Sequence, residues 1–374
     1  MDTDIVTTAA MRERLLSLDT ARAALAATEP LATHNFTVGE QVRFTVEPGW
    51  LHGIESIAGT APVPASIHLG RGPGTYEFPL TKDALLEATS ICGLGKGYAA
   101  RCPAELLEPQ LNYWFRGGLL DREGAIRDYQ LLVAAGLGAA VARASVVPFS
   151  NLELLDRALA GIRSRFGDSE VLVDYKFTHS LRRTHLRLIV PDQRRTITGT
   201  GVTGDEWSVG LQLRNSLIGR ETTAIDGYLF RWVCTNGAID TQATSGTWTR
   251  RAGGTEAEVY EWAAAAVDDV LGGLEPALDA VQAMVNLPIG GEANDVLRDV
   301  FTHYRTPLPE RAKIIENMVE AGELTMYAVM AAITEVANDG EMDPAHVEAL
   351  MRMGGDLPHA ATSRCEACRR LLPH

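Results

Sequence analysis

Trp207-Ser-Val-Gly-Leu-Gln-Leu-Arg214 alternates large apolar residues with small or polar ones without a break. In an extended chain Trp207, Val209, Leu211 and Leu213 fall on one side, and Ser208, Gly210, Gln212 and Arg214 on the other. The same two-residue period runs through Val171, Val173, Tyr175 and Phe177, which alternate with Leu172, Asp174 and Lys176. It returns in Leu186, Leu188 and Val190, set between His185, Arg187 and Ile189. Gly227 to Cys234 is apolar on both faces, as a central strand is, and Asn236-Gly237 has the composition of a tight turn. Strands near 171–177, 185–190, 207–214 and 227–234 are therefore expected to form one antiparallel sheet. A one-residue slip in any of them would expose its whole apolar set, so the register is strongly specified.

Thr255-Glu-Ala-Glu258 is a capping-box pattern, and it opens a long helix expected over 256–284. That helix is expected on the face of Val173, Leu188 and Leu211, with a kink at Pro276. Helices near 293–303, 309–321, 324–338 and 344–353 follow. Upstream, the spacing predicts an amphipathic helix over 5–28 that ends at Glu29-Pro30, because a residue before proline avoids helical geometry. Short strands are expected over 35–80, and helices after Thr81 and over 103–116. One or two buried strands should surround Gly136 and Gly138, and Asn151 should cap a helix over 152–165. The expected fold class is α+β: a central antiparallel sheet, a long helix packed on one face, and an acidic helical C-terminal region. The expected units are an N-terminal helix with short strands (1–80), the α+β core (81–290), the helical region (291–356) and a flexible tail (357–374).

Composition sets outer limits. Of the 374 residues 46% are apolar and 22% charged, which excludes a mainly disordered chain. The net charge of −14 is uneven: from Thr255 onward there are 21 acidic and 8 basic residues, a net of −13. Nonspecific nucleic-acid binding by the whole chain is excluded on that ground, but a locally basic face is not. Five cysteines without a regular framework are expected to be thiols in a reducing compartment. With neither a long apolar run nor a basic-then-apolar start, the expected location is the cytoplasm, with no membrane partner.

Five segments carry a family resemblance: Leu111-Asn-Tyr-Trp114, Val141 to Leu155, Arg214-Asn-Ser216, Gly227-Tyr-Leu-Phe-Arg-Trp-Val-Cys-Thr-Asn-Gly237, and Tyr327 to Val336. Together they resemble a phage/plasmid-like protein family catalogued as a domain of unknown function, over roughly residues 85–340. The resemblance implies a mobile-element setting, with the host cytoplasm as location, and brings no activity or cofactor with it.

The leading candidate site is a basic sheet face. Lys176, Arg187 and Arg214 lie on the non-apolar side of the strands with Asp174, His185 and Gln212, and nearby turns add His179, Arg182, Arg183, Arg194 and Arg195. Residues 163–195 hold eight basic and four acidic side chains. Arginines pair with phosphate, and Tyr228, Phe230 and Trp232, on one face of the fourth strand, could stack bases. Against this stands the plainer alternative, a solvated arginine face with the aromatics in the core. Cys234 has no base linked to it by spacing and reads as core. Gly93-Leu-Gly-Lys-Gly97 lacks the full phosphate-loop pattern and reads as a turn. His359, Cys365, Cys368 and His374 have unusual zinc spacings and fall in the tail. No catalytic residue, metal site or cofactor is assigned.

Four strands and a helix with an open basic face resemble the arrangement of single-strand annealing proteins. The expected function is thus a non-enzymatic role in phage or plasmid DNA metabolism, binding or annealing single-stranded DNA. Two alternatives stay open. One is an interaction protein that uses its acidic helices to bind a host or phage protein or to mimic DNA. The other is a hydrolase or nuclease whose residues do not cluster in the sequence. Homo-oligomerisation is also left open.

Overall fold

The computed structural model describes residues 15–29, 32–39, 41–48, 61–71, 74–118, 127–147, 149–174, 178–218, 221–232, 236–240, 248–250, 255–290, 293–321, 325–337, 342 and 344–360. In chain order the elements begin with β1 (Leu16–Ser17), α1 (Leu18–Thr28), β2 (Ala32–Thr37), β3 (Val42–Val46), β4 (Pro62–Arg71) and β5 (Gly74–Thr81). Next come α2 (Lys82–Ile91), α3 (Lys96–Ala99), α4 (Ala104–Tyr113), a π-turn (Trp114–Gly118), β6 (Asp128–Ala134), β7 (Leu137–Arg143) and α5 (Asn151–Phe166). The second sheet's strands are β8 (Leu172–Val173), β9 (Thr178–His179), β10 (Thr184–Thr196), β11 (Glu206–Asn215), β12 (Thr223–Arg231), β13 (Asn236–Asp240) and β14 (Trp248–Arg250). Helices α6 (Glu256–Met284), α7 (Ala293–His303), α8 (Leu308–Ala321), α9 (Met326–Val336) and α10 (Pro344–Asp356) complete the described chain, with a 3-10 turn at Leu357–His359.

The fold is α+β. One sheet runs β1-β8-β10-β11-β12-β13, with β9 on β10 and β14 on β12, and every pair in it is antiparallel. Its register puts Leu188 opposite Val173 and Leu211, and Leu211 opposite Gly227. Every residue of β12 is buried, as its two-sided apolar pattern requires of a central strand. Helix α6 lies along β11 and β12 and reaches Arg195, which faces Trp207 across the ladder and so lies on the Leu211 side. Its capping box is complete: Thr255 Oγ1 accepts from the Glu258 N–H, and the Glu258 carboxylate accepts from the Thr255 N–H. Helix α5 packs on α6 so closely at Gly161 that a Cβ there would sit 2.3 Å from Val267 Cγ1. No helix of the described residues is long and apolar enough to cross a membrane.

A second sheet, ordered β2-β6-β7-β5-β4-β3, is antiparallel except where β5 meets β7 at Leu80 and Gly138. It has its own core, built on Phe44, Ile67, Leu85, Leu107, Phe115 and Tyr129. A smaller apolar cluster joins Leu132 and Ala140 of this sheet to Leu181, Leu217 and Ile218 at the ends of the other sheet's strands.

Several expectations shift. The sheet of residues 32–143 spans position 80, so the division expected between 80 and 81 falls inside a continuous unit. There Thr81 ends β5 and also caps α2 through its Oγ1. The first described helix begins at Leu18, capped by Ser17, and Leu16 and Ser17 pair with β8; the part of the helix expected over 5–14 lies outside the described residues. Ser150 rather than Asn151 caps α5. Of the strand expected over 171–177, the described part is Leu172–Val173, and Tyr175–Phe177 lie outside the described residues. Asn236-Gly237 starts β13 instead of making a turn. Gly237 is needed there for close approach, since a Cβ on it would lie 2.2 Å from Tyr228 Oη.

Candidate functional site

The sheet alternation places Arg187, Gln212, Arg214, Asp226, Tyr228 and Phe230 on one face, as expected, but that face is not an open cationic surface. Arg187 is buried; its Nε donates to Gln212 Oε1 at 2.8 Å and its Nη1 lies 3.7 Å from Asp174. Arg214 reaches Asp226 at 3.3 Å and Glu348 of α10 at 3.5 Å, while Arg352, one turn on, pairs with both carboxylates. Arg183 pairs with Glu221, Arg194 with Glu206 at 3.0 Å, and Arg195 with Asp279 of α6. Arg182 bridges to α2, 2.6 Å from the buried Glu87 and 3.4 Å from Asp83. Lys176 lies outside the described residues. Each described arginine of the expected site therefore already faces a carboxylate. A phosphate would have to displace that partner and leave an acid uncompensated, some of them fully buried.

The expected stacking platforms are corrected in the same way. Tyr228 and Phe230 have no exposed surface and Trp232 only 2%. Tyr228 donates its hydroxyl to Asp174 at 2.7 Å, and the Trp232 indole donates to Ser208 Oγ at 2.6 Å. Phe230 meets Trp232 edge-on at 5.1 Å, and the Arg194 guanidinium lies over the Trp232 ring. These rings make core contacts, with their polar tips satisfied internally.

His185 is held between two acids, with Nε2 3.2 Å from Glu221 and Nδ1 3.5 Å from Glu348. Burial alone pushes the Glu348 carboxyl up, but the charges of His185, Arg214 and Arg352 outweigh it and hold the group below its ordinary value of 4.5. Glu221 follows the same pattern: burial raises it, and hydrogen bonds and charge from His185 and Arg183 bring it below 4.5. A depressed carboxyl contributes stability that is present above its unfolded value and is lost as pH falls through its folded value. Glu348→Gln should therefore be less stable than the wild type near neutral pH. The gap between their denaturation midpoints should close as the pH is lowered from about 6 to about 3. A gap that stays constant with pH would mean the Glu348 charge contributes nothing.

A second polar centre has no local signature in the sequence. Arg231 grips the fully buried Asp205 with two hydrogen bonds, Nε at 2.8 Å and Nη2 at 2.7 Å. Tyr327 of α9 donates its hydroxyl to the same carboxylate, and the Trp207 indole donates to it at 3.2 Å. Burial, partly opposed by Arg231, pushes the Tyr327 phenol well above its ordinary range and keeps it a proton donor. A cavity of about 230 Å³ borders this centre, with Arg231, Tyr327, Asn317 and Glu335 among its lining residues. The arrangement locks α9 to the ends of β11 and β12.

The remaining candidates stay apart. Gly93 turns the chain after α2 with φ of 75°, but the turn expected over Gly93–Gly97 stops short, since Lys96 and Gly97 open α3. His179 is exposed on the short β9 and pairs through its backbone with Thr184. Cys92 and Cys102 are buried and not in a disulfide, Cys102 donates to Tyr98 Oη at 3.4 Å, and burial pushes Cys92 up to about 12. Cys234, Cys365, Cys368 and His374 lie outside the described residues. Among the described residues no group of three or more His, Cys, Asp or Glu is placed to hold a metal ion.

Helix α8 presents a different surface. Ile314 and Met318 are buried, but Leu308 is 76% exposed, Val319 70% and Ile315 38%, with exposed Ala312 between them. Positions 308, 312, 315 and 319 share one helical face. This apolar stripe lies beside the exposed Glu316, in the most acidic part of the chain. Compared with protein-family models, curated proteins and solved structures, the chain has no match.

Proposed function

We propose that this protein is a non-enzymatic binding protein of phage or plasmid DNA metabolism whose acidic C-terminal helices dock a partner protein. The observation that carries this reading is the stripe Leu308, Ala312, Ile315 and Val319, an apolar helix face left in water beside the buried Ile314 and Met318 of the same helix. Exposed apolar faces with polar rims are typical of docking surfaces. The net charge of −13 beyond Thr255 favours a partner whose own apolar surface is rimmed by Lys or Arg, and works against a second copy of the same region. The mobile-element setting rests on the resemblance of the five segments, Gly227 to Gly237 above all. Binding of single-stranded DNA through the sheet face finds less support, because its arginines are already neutralised.

The test is quantitative co-purification from the host cell of the wild type and of the double variant Leu308→Ser, Val319→Ser. We expect a basic protein held in fixed ratio by the wild type and lost from the variant at unchanged melting temperature. Recovery of the same proteins with both would overturn the reading. So would a wild-type dimer that the variant converts to monomer, since the stripe would then serve self-association.

A further inference from the structure

The arginines of the sheet face are consumed by ion pairs, but two others are not. Arg43 on β3 and Arg116 in the π-turn are exposed, and among the described residues neither guanidinium has an ion-pair or hydrogen-bond partner. Both line one open groove of about 690 Å³ on the N-terminal sheet, far along the chain from α8. Tyr113 lines the same groove and is 68% exposed. Its ring is propped edge-on by the half-buried Trp114, with centroids 5.3 Å apart.

The groove has a fixed frame. Glu108 and Asn112 are four residues apart on α4 and so share a helix face. The Asn112 side chain accepts from the Phe44 N–H at 2.8 Å and donates to the Phe44 carbonyl at 2.9 Å, as a neighbouring strand would. Glu108 Oε2 accepts from the Val46 N–H at 3.0 Å. Together they close the edge of β3 and hold α4 against it. Among the described residues Glu108 is the one carboxylate that lines the groove, and this bond ties it to the strand. What remains for a ligand is two guanidiniums and an exposed phenol ring. Guanidiniums bind phosphate bidentately, and an aromatic face stacks on a base.

We propose that this groove binds a nucleoside phosphate, with Arg43 and Arg116 on the phosphate and Tyr113 under the base. The site goes beyond the partner-docking function and does not depend on it. The phosphate could be that of a free nucleotide or one in a single strand, and the experiment separates the two.

Binding is measured by fluorescence anisotropy with a labelled short oligothymidylate over a series of salt concentrations, and by competition with adenosine monophosphate and with inorganic phosphate. We expect salt-sensitive binding of the oligonucleotide, of the mononucleotide, or of both. In the double variant Arg43→Gln, Arg116→Gln the slope of log K against log salt should fall by about 0.7 for each arginine that pairs with a phosphate. Tyr113→Ala should bind roughly 5- to 150-fold more weakly with little change in slope, the loss of one stacked base. All three side chains are exposed, so the melting temperature should not move, and a melting curve of each variant checks this. Binding of the oligonucleotide without competition by the mononucleotide assigns the site to a strand; effective competition assigns it to the nucleotide unit. The proposal is overturned if wild type binds neither, if the double variant binds as wild type does, or if inorganic phosphate competes as well as the mononucleotide. The variants that test α8 leave this groove untouched, so failure of one idea is distinguishable from failure of the other.

Discussion

Arg231→Ala should destabilise the protein by about 3–5 kcal/mol, the usual cost of removing one partner of a buried ion pair. The size follows from what is left behind. Asp205 has no exposed surface, and Arg231 supplies its two short charge-assisted hydrogen bonds. Without the guanidinium the carboxylate keeps only the neutral donors of Tyr327 and Trp207. It must then stay charged in an apolar setting or take up a proton, and either path costs free energy. Asp205→Asn should be costly for the mirror reason, a buried guanidinium without its counter-charge. The double variant Asp205→Asn, Arg231→Gln should cost less than the two single changes added, because no lone charge remains. Urea denaturation followed by tryptophan fluorescence reads all three. A cost below about 1 kcal/mol for Arg231→Ala would mean the pair is not the lock between α9 and the sheet.

The same centre marks where a sequence stops being legible. Trp207 to Arg214 can be read as a strand because large apolar residues alternate there with small or polar ones, and β11 spans Glu206–Asn215; that its polar side is buried too, from Ser208 to Gln212, depends on elements far away in the chain. The capping box at Thr255 and Glu258 can be read because both hydrogen bonds close within three residues. Asp205 and Tyr327 are 122 residues apart, and nothing local ties them. The basic face misleads for this reason. A count over 163–195 finds an excess of arginine, but the acids that neutralise Arg182, Arg183, Arg194 and Arg195 come from α2, the β11–β12 connection, the start of β11 and α6. Asp226 and Arg352, 126 residues apart, complete that network. Asn236-Gly237 misleads in another way: the composition that favours a turn also serves where a strand must pass under a tyrosine ring. Arg43 and Arg116 do not stand out because each is isolated in the sequence. Only the docking of α4 on the edge of β3 brings them to the same groove as Tyr113.

Trp232→Ala should cost about 3–5 kcal/mol, the range for deleting a large buried aromatic. The side chain is 2% exposed, packs edge-on against Phe230 and lies under the Arg194 guanidinium. Truncation removes that packing, opens a cavity beside the fully buried Phe230, and leaves Ser208 Oγ without the indole donor. Trp232→Phe keeps much of the volume and loses mainly the hydrogen bond, so its cost should be nearer 1–2 kcal/mol. This ordering separates the two roles that the sequence allows for the ring. An indole waiting in water to stack on a base would give both variants nearly wild-type stability, because surface substitutions seldom exceed about 0.5 kcal/mol. An indole in the core gives a large loss for alanine and a smaller one for phenylalanine. Urea midpoints at equal m-value decide between them, and a near-zero effect of Trp232→Ala would return the sheet face to consideration as a binding surface. With a large effect, any loss of nucleic-acid binding in Trp232→Ala reports unfolding, and only the exposed Tyr113, Arg43 and Arg116 can be changed to test binding without changing the fold.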